Sequence, residues 1–438
     1  MKFSIKQKLN SLINKSKRIY KVNKYNLTRK SSKKVISNEQ GLKTIISNIR
    51  LNTLFFKGLV IVLSSIFLFF IIENIYFYVS LNISKYPADN NETVPWDGYR
   101  RINIMFIGLD KKETGYTFVD RVIILYINPD TPKLGIFSVN TNFESTLPNK
   151  TKASIKLSYK YGLEFDEPLE YTIVAVENLL GITIDRYIVS DTDQVFNILE
   201  SINLPNLNIL TPIKDVDFPP IEVGNYAPDA NMMYLYLASD ALGEDAKMER
   251  LVNFFKDYIE GFSNPLSIFS MRTSIEAIAA NTFTNISKLE FFHLGLFLTS
   301  IRTDQIKIAY TREDAATKSQ DIFSIWMPII QNIDKDLSSI FINPNVKLEQ
   351  AKVEIMNGTD IQGLANKKAR LLRNLGCRIV RIGNSTRRVD KSYLYVLNPE
   401  NYKETINEIK SVFNDEIVIL REEYPFRHIG DLVVVVGE

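Results

Sequence analysis

The sequence has very few cysteines and histidines, the side chains that most often bind soft metals. Its 438 residues include one cysteine, Cys377, and two histidines, His293 and His428. One cysteine excludes an intramolecular disulfide, and these three residues are too few for a His/Cys metal cluster. No Ser/His/Asp arrangement typical of acyl transfer is visible, and no glycine-rich phosphate loop is present. The remaining candidates for chemistry are carboxylates and the cations that accompany them.

Acidic residues are nearly absent from the first fifty positions, which carry fourteen Lys or Arg and one acid, Glu39. This segment of net charge +13 shows no sustained periodicity. We therefore predict that residues 1–53 are a largely disordered cytoplasmic tail held near anionic lipid. A nucleic-acid-binding arm is the alternative, but no aromatic pattern or fold accompanies the charge, and we expect no nucleic-acid partner.

One long hydrophobic run, LFFKGLVIVLSSIFLFFIIENIYFYV, occupies residues 54–79. About 22 of its residues are apolar enough to cross a hydrocarbon core of about 30 Å. Because the basic side of a span stays in the cytoplasm, we predict a single-pass membrane protein with a cytoplasmic N-terminus and extracytoplasmic domains. A buried core helix is the alternative. A cleaved signal peptide is disfavoured, since no small-residue cleavage site follows the run.

Polar stretches divide the rest of the chain. Residues 80–97 are polar with two prolines and predict a linker. Residues 98–312 alternate strand-like apolar runs, such as INIMFIGLD and DRVIILYIN, with helical patterns, and predict an α/β domain. Residues 313–349 predict a second linker that holds one short helix. Residues 350–438 alternate strands and helices again, and predict a separate small α/β domain.

The C-terminal region resembles the C-terminal module of LytR-CpsA-Psr proteins. In VEIMNGTDIQGLANKKARLLRNLGCRIVRIGNS a strand, an Asn-Gly-Thr loop and a helix ended by glycine follow one another, and the chain closes with DLVVVVGE. The loop of Asn357, Gly358 and Thr359 is interpreted as a turn that delivers a capped helix. The alternative is a ligand loop at the N-terminus of that helix.

The region from about Asn103 to Thr311 resembles a divergent LytR-CpsA-Psr core. INIMFIGLD resembles the opening strand of the family with its Gly-x-Asp, and VDRVIILYINPDTPKLGIFSV resembles the next two strands and their Asn-Pro turn. The resemblance implies a membrane-anchored α/β protein of the cell envelope. Active members transfer a glycopolymer phosphate from polyprenyl pyrophosphate to peptidoglycan with Mg²⁺. Polyprenyl-linked glycopolymer and peptidoglycan are therefore the implied partners.

The resemblance also selects candidate site residues. Asp110 and Asp120 stand at two aspartates of the family, which makes them the candidate catalytic residues and, if the protein is active, the candidate Mg²⁺ ligands. The candidate substrate-binding cations are Arg121, Lys247 and Arg250. Because neighbouring side chains alternate along a strand, Arg121 is expected to point away from Asp120.

Most arginines of the family's pyrophosphate clamp have no counterpart in this sequence. Phe118 replaces one of them, Asn140-Thr141-Asn142 replaces a Pro-Arg-Asp, and two helix arginines fall on Ala238 and Asp240. Each lost charge-assisted contact costs roughly 1.5–3 kcal/mol. We therefore predict a degenerate phosphotransferase site that binds glycopolymer, lipid-linked intermediates or partner proteins. The alternative is an active Mg²⁺-dependent phosphotransferase whose clamp is rebuilt from the three cations named above, with Lys111 or Lys112 as a further candidate.

Overall fold

The computed structural model describes residues 59–65, 68–69, 72–73, 75–87, 95–111, 116–129, 133–215, 218–262, 267–318, 326–413 and 416–437. The basic tail predicted over 1–53 lies outside the described residues, as do residues 88–94 of the linker predicted over 80–97. Phe77–Glu438 form one compact unit.

The membrane-spanning helix predicted over 54–79 needs correction. Among the described residues, no helix is both long and apolar enough to cross a bilayer, so the single-pass prediction is wrong. The helical runs described there are 59–65, 68–69, 72–73 and 75–80. Residues 54–58, 66–67, 70–71 and 74 of the predicted span lie outside the described part. Phe77 and Leu81, 5% and 2% exposed, pack into a protein core.

Strands and helices alternate along the compact unit. The strands are β1 (Ile102–Lys111), β2 (Thr117–Asn128), β3 (Lys133–Val139), β4 (Glu144–Thr146), β5 (Lys152–Ser154), β6 (Arg186–Asp191), β7 (Leu207–Ile209), β8 (Gly224–Tyr226), β9 (Phe283–Thr284), β10 (Ile306–Tyr310), β11 (Ala316–Lys318), β12 (Trp326–Pro328), β13 (Lys352–Asn357), β14 (Arg378–Asn384), β15 (Tyr393–Val396), β16 (Val418–Leu420) and β17 (Leu432–Val436). The helices are α1 (Ile155–Leu163), α2 (Pro168–Leu180), α3 (Thr192–Ser201), α4 (Ala230–Ala238), α5 (Gly243–Glu260), α6 (Ile268–Ala280), α7 (Lys288–Ser300), α8 (Ile330–Phe341), α9 (Pro344–Glu349), α10 (Leu364–Asn374) and α11 (Lys403–Val412). The prediction of a mixed α/β fold is confirmed.

A six-stranded sheet in the order β10-β3-β2-β1-β6-β9 organises the larger domain. β1 is parallel to β6 and β3 is parallel to β10, whereas β2 runs antiparallel to both β1 and β3. The carboxyl ends of β1, β3, β6 and β10 therefore share one edge with the start of β2. We call it the carboxyl edge, which is where open α/β sheets bind their ligands.

Helices α1, α2 and α8 cover one face of this sheet, which we call the back face. Residues such as Met105 and Ile107 of β1 point into this core. The segment predicted as a linker over 313–349 takes part in it, because Ile333, Leu337 and Phe341 of α8 are fully buried there. The apolar positions of α8 recur at helical spacing, so one side of the helix packs on the sheet while the other remains polar.

Helices α5, α6 and α7 cover the opposite face, which we call the front face. Ile104 and Phe106 of β1 point to this side, as alternation along the strand requires. Leu251 of α5, Met271 of α6 and Phe291 of α7 complete the core.

The C-terminal region forms a second sheet in the order β14-β13-β17-β15-β16. Helices α10 and α11 pack against one of its faces, around Val353, Ile355 and Val434, which are fully buried. The sheet is mixed, since β15 runs antiparallel to β17 while β13 is parallel to both β14 and β17. We refer to residues 350–437 as the C-terminal module.

Candidate functional site

An apolar cavity of about 200 Å³ lies at the front face, beside the carboxyl edge. Its walls come from β1, β2 and β6 on one side and from α3, α4 and α5 on the other. The apolar lining includes Phe106, Ile188, Val195, Leu237, Phe254 and Phe255. The charged residues that border it are Asp120, Arg121 and Asp191. The site therefore combines an apolar interior with a small charged rim.

A β-bulge places two of these charged residues side by side. Gly108 of β1 pairs with Arg121, but the next residue, Leu109, pairs with Val119, so Asp120 is an extra residue in β2. As a result Asp120 and Arg121 both border the cavity, and Arg121 Nη1 lies 2.6 Å from Asp120 Oδ2. The expectation that these neighbours point apart is wrong, because strand alternation does not hold across a bulge.

Asp110 lies at the carboxyl end of β1, half-buried and opposite Phe118 of β2. It is not among the residues that line the cavity. The following residue, Lys111, donates to Asp191 Oδ2 at 2.6 Å. Asp191 also caps α3 by accepting from the backbone N–H of Gln194. The structure thus brings Lys111 and Asp191 to the rim and leaves Asp110 beside it.

The charge of Asp191 is favoured by its partners. Burial raises the pKa of its carboxyl, but the hydrogen bonds from Lys111 and from the backbone of Gln194 outweigh burial. The net pKa therefore lies below its usual value, and Asp191 is ionised at neutral pH.

Lys247 and Arg250 are both on α5 and are 7% and 6% exposed. Lys247 forms an ion pair with Asp240. Arg250 donates to the carbonyl of Ser239 and, at 3.3 Å, to that of Ala241. The predicted cations of α5 are therefore used to hold the turn that follows α4.

Arg121 and Arg250 meet at that same turn. Arg121 Nη2 donates to Leu237 O at 3.4 Å, and the Arg250 guanidinium lies 5.7 Å from the ring centre of Tyr236. Carbonyl groups at the C-terminus of a helix attract cations. Burial, chiefly, and the nearby charge of Arg121 lower the pKa of Arg250. The three predicted cations therefore gather around the end of α4, and Arg121 alone among them also borders the cavity.

Family comparisons agree with this architecture. Residues 79–339 match the profile of the LytR_cpsA_psr family, and residues 350–438 match that of the LytR cell envelope-related transcriptional attenuator. The chain belongs to the LytR-CpsA-Psr family. No curated protein matches the chain.

Solved structures with a similar fold come from several bacteria. B. subtilis TagV is 18% identical, with a TM-score of 0.46 over 54% of this chain and 94% of that chain. Protein gbs0355 from Streptococcus agalactiae is also 18% identical, with a TM-score of 0.46 over 54% and 88%. The transcriptional regulator EF0465 from Enterococcus faecalis is 13% identical, with a TM-score of 0.46 over 64% and 89%.

The turn after β3, where the LytR-CpsA-Psr resemblance places an Arg and an Asp, is neutral and buried. Asn140 is 0% exposed and Thr141 is 8% exposed. The backbone N–H of Asn140 donates to Thr311 Oγ1 at 2.7 Å, and that of Asn142 donates to Asn140 Oδ1 at 3.0 Å. These side chains stabilise the turn and offer no positive charge to an anion.

Among the described residues, the carboxylates are not gathered into a metal centre. In the described parts of the chain, no three His, Cys, Asp or Glu side chains are placed to hold a metal ion. Of the two predicted Mg²⁺ ligands, Asp120 is paired with Arg121 and Asp110 lies beside the cavity rather than in its wall. With one carboxylate paired with a guanidinium and the other outside the cavity wall, the donor set does not fit the Mg²⁺ implied by the family.

The Asn357-Gly358-Thr359 loop of the C-terminal module is closed by its own hydrogen bonds. Asn357 Oδ1 accepts from the backbone N–H and the hydroxyl of Thr359, and Asn357 Nδ2 donates to Ile361 O at 2.9 Å. The backbone N–H of Gly358 donates to Val436 O. These contacts favour the turn interpretation over the ligand loop, although α10 begins after Gly363 without a side-chain cap.

Proposed function

We propose that this protein binds an isoprenoid-linked phosphate or pyrophosphate of envelope glycopolymer assembly, and holds it without transferring the polymer. The observation that carries the proposal is the apolar cavity with one guanidinium at its rim. An amphiphile with an apolar chain and an anionic head matches both features.

The interior suits an isoprenoid chain because its lining is aromatic and aliphatic. Phe254 and Phe255 of α5 face Phe106 of β1 across the site, and the rings of Phe106 and Phe255 lie 5.4 Å apart. Burial of apolar surface contributes about 25 cal/mol per Å² and is insensitive to the precise shape of the chain. The tail would therefore supply most of the affinity.

The rim suits one phosphate group. Arg121 is 16% exposed, and a guanidinium binds phosphate oxygens through two parallel hydrogen bonds. Asp120 occupies that fork in the structure, so an incoming anion competes with the Asp120 carboxylate. Lys111, whose side chain is 64% exposed, is the second cation at this edge.

Holding, rather than transfer, follows from what the other cations do. Lys247 forms an ion pair with Asp240, and Arg250 donates its hydrogen bonds to the carbonyls of Ser239 and Ala241. Transfer of a phosphoryl group needs several cations on the transferring oxygens at once. A site that has one cavity-lining guanidinium among the described residues binds such a group but does not stabilise its transition state.

Active Mg²⁺-dependent transfer to peptidoglycan is the second candidate, and the bulge favours it. The bulge brings a carboxylate and a guanidinium together at the cavity rim, two groups that the family's chemistry requires. In this case Asp120 would be catalytic, with Asp110 beside it.

Calorimetric titration of the full chain distinguishes the affinity contributed by the isoprenoid tail from that contributed by the pyrophosphate head group. Geranylgeranyl pyrophosphate should bind, geranylgeraniol should bind more weakly, and inorganic pyrophosphate should not bind measurably. Arg121→Gln should weaken binding of the first probe at least tenfold, about 1.4 kcal/mol. Arg302→Gln, which removes an exposed guanidinium paired with Asp304, is the control and should change nothing. Equal binding of all variants would reject the site.

Two further variants test the interior. Val195→Trp fills the cavity from α3 and should abolish probe binding, whereas Asn197→Trp on the exposed side of the same helix should not.

Asp120→Asn separates holding from transfer. If the protein holds its ligand, the loss of the competing carboxylate frees Arg121 and tightens binding severalfold, and the wild type with Mg²⁺ releases no prenyl phosphate. Mg²⁺-dependent release that Asp120→Asn abolishes would establish the second candidate instead.

A further inference from the structure

The C-terminal module forms a buried ion pair with the residue immediately before β1. Arg101 precedes this strand, and its Nε donates to Glu408 Oε2 of α11 at 2.6 Å. Both side chains are nearly buried, at 7% and 6% exposed. Asn343 Nδ2 donates to the other oxygen of Glu408 at 2.9 Å. Removal of one partner of a buried ion pair strongly destabilises the fold, because the other charge is left buried and unpaired. This contact therefore fixes the start of β1 to α11.

The module also forms hydrogen bonds with the end of α2, just before β6. Arg370 of α10 donates to the carbonyls of Asn178 and Leu179 at 2.9 and 2.7 Å, and pairs with Asp334 of α8 at 2.7 Å. Asn374 of α10 donates to the carbonyls of Leu180 and Gly181. Four carbonyls in a row at the end of α2, which would otherwise lack partners, are therefore capped by the C-terminal module.

Gly181 allows this close approach. It ends α2 with a φ of +63°, and a Cβ placed there would lie 2.8 Å from Arg370 Nε. Residues 182–185 then lead directly into β6. The fixed end of α2 therefore also fixes the start of β6.

The two strands that follow these contacts, β1 and β6, are neighbours in the sheet and line the cavity. β1 and β6 pair in parallel from Ile104 and Arg186 to Leu109 and Asp191. Their amino ends are joined again where the backbone N–H of Asn103 donates to Asp185 Oδ2 at 2.7 Å. Their other ends supply part of the cavity wall, including Gly108 and Ser190. The module thus holds the amino ends of the strands whose carboxyl ends line the site.

We infer that the C-terminal module is a positioning element of the cavity: through Arg101–Glu408 and through Arg370 and Asn374 on α2, it fixes β1 and β6 against each other. Glu408, Arg370 and Asn374 are positioning residues and touch no ligand. The strands carry the constraint, since they pair along their full shared length. The consequence for ligand affinity rests on the proposed function, whereas the consequence for strand dynamics does not.

Hydrogen exchange of the full chain tests, without a ligand, whether the C-terminal module restrains the motion of β1 and β6. Glu408→Gln and Arg370→Gln should each speed exchange of the β1 and β6 amides at least tenfold. The controls are Glu400→Gln, whose carboxylate forms an exposed ion pair with Lys403, and Arg373→Gln, on the exposed side of α10. Both should leave β1 and β6 unchanged. Faster exchange confined to the C-terminal module would overturn the inference.

Milder variants keep the test decisive if a charge-removing variant fails to fold. Arg370→Lys retains the charge but loses the fork that reaches both carbonyls, and Asn374→Ala removes the two bonds to Leu180 and Gly181. Each should speed exchange in β6 more than in β1, because each weakens the contacts with the end of α2 and leaves the Arg101–Glu408 pair before β1 in place. Equal rates in β6 for wild type and both milder variants would overturn the inference.

Affinity for geranylgeranyl pyrophosphate is the second readout, taken under conditions where every variant is fully folded. Arg370→Lys should weaken binding about threefold or more, and Arg373→Gln should not. If the wild type binds no probe, the proposed function fails while the exchange results still decide this inference. If the probe binds and Arg370→Lys binds it equally well, positioning of the cavity is rejected.

Discussion

The two faces of the six-stranded sheet are built from the same strands and differ in what covers them. The back face is closed, since Phe137 and Phe341 are 0% exposed and their ring centres lie 6.4 Å apart. The front face contains the cavity, and its aromatic residues Phe254 and Phe255 are only half-buried. Protein interiors are normally packed without such voids. The cavity in the front face agrees with the binding role proposed above, whereas the closed packing of the back face serves stability.

Loss of a large side chain is the strongest test of this contrast. Phe341→Ala opens a void in the closed back face, where the ring packs on Tyr126 at 5.1 Å, and should cost about 3–5 kcal/mol. Phe255→Ala enlarges space that already exists, and should cost roughly 1–2 kcal/mol because its ring is half-buried.

Urea unfolding followed by fluorescence compares the two variants. The tryptophans lie in different cores, Trp326 at the back face and Trp96 at the front face, so both cores are monitored. Equal losses of unfolding free energy would show that the cavity is a closed part of the core.

A methyl group added to each face sharpens the comparison. A Cβ on Gly135 of β3 would lie 2.1 Å from Ile340 Cγ2, inside the closed back face, so Gly135→Ala should cost about 1–3 kcal/mol. A Cβ on Gly108 of β1 would lie 3.2 Å from Arg121 Cβ, beside the bulge and the cavity, which is a much milder overlap. Gly108→Ala should cost less than about 1 kcal/mol in the same urea titration. The reverse order would contradict the assignment of the two faces.

The sequence predicts the strands better than it predicts what lies on them. The near-continuous apolar run INIMFIGLD predicts a strand covered on both sides, and β1 has that environment. The segment predicted over 313–349 as a linker with one short helix contains α8, whose residues Ile333, Leu337 and Phe341 are buried in the back-face core. The polar half of α8 dilutes the apolar signal of these residues, so the sequence indicates a helix here but not how deeply it is buried.

The candidate site shows a different limit. Whether Asp120 and Arg121 point together depends on how β2 pairs with β1, and the bulge at Gly108 and Leu109 is a property of that pairing. No pattern within β2 alone reveals it. In contrast, Asp191 and Gln194 form a capping-box pattern that is visible in the sequence, and the pattern would have placed Asp191 at the start of α3.

Removal of one charge at the front-face rim should have the smallest effect on stability, and it tests one specific interaction at the rim. Asp191→Asn keeps an N-cap side chain for α3 but loses the ion pair with Lys111 and the negative charge at the helix N-terminus. A charge in this position contributes about 0.3–1 kcal/mol. The folded-state pKa of Asp191 is lowered, so its stabilising effect is complete above the unfolded-state pKa of about 3.9 and disappears as the pH falls through the folded-state value.

Urea titrations at pH 7 and pH 2.5 measure the difference between wild type and Asp191→Asn. We expect the variant to be less stable at pH 7 and the gap to narrow at pH 2.5, which lies below the unfolded-state pKa of about 3.9. The other carboxyls titrate equally in both proteins and cancel. A gap that stays constant with pH would mean that Asp191 acts through packing rather than charge, and the rim would then depend on Asp120 and Arg121 alone.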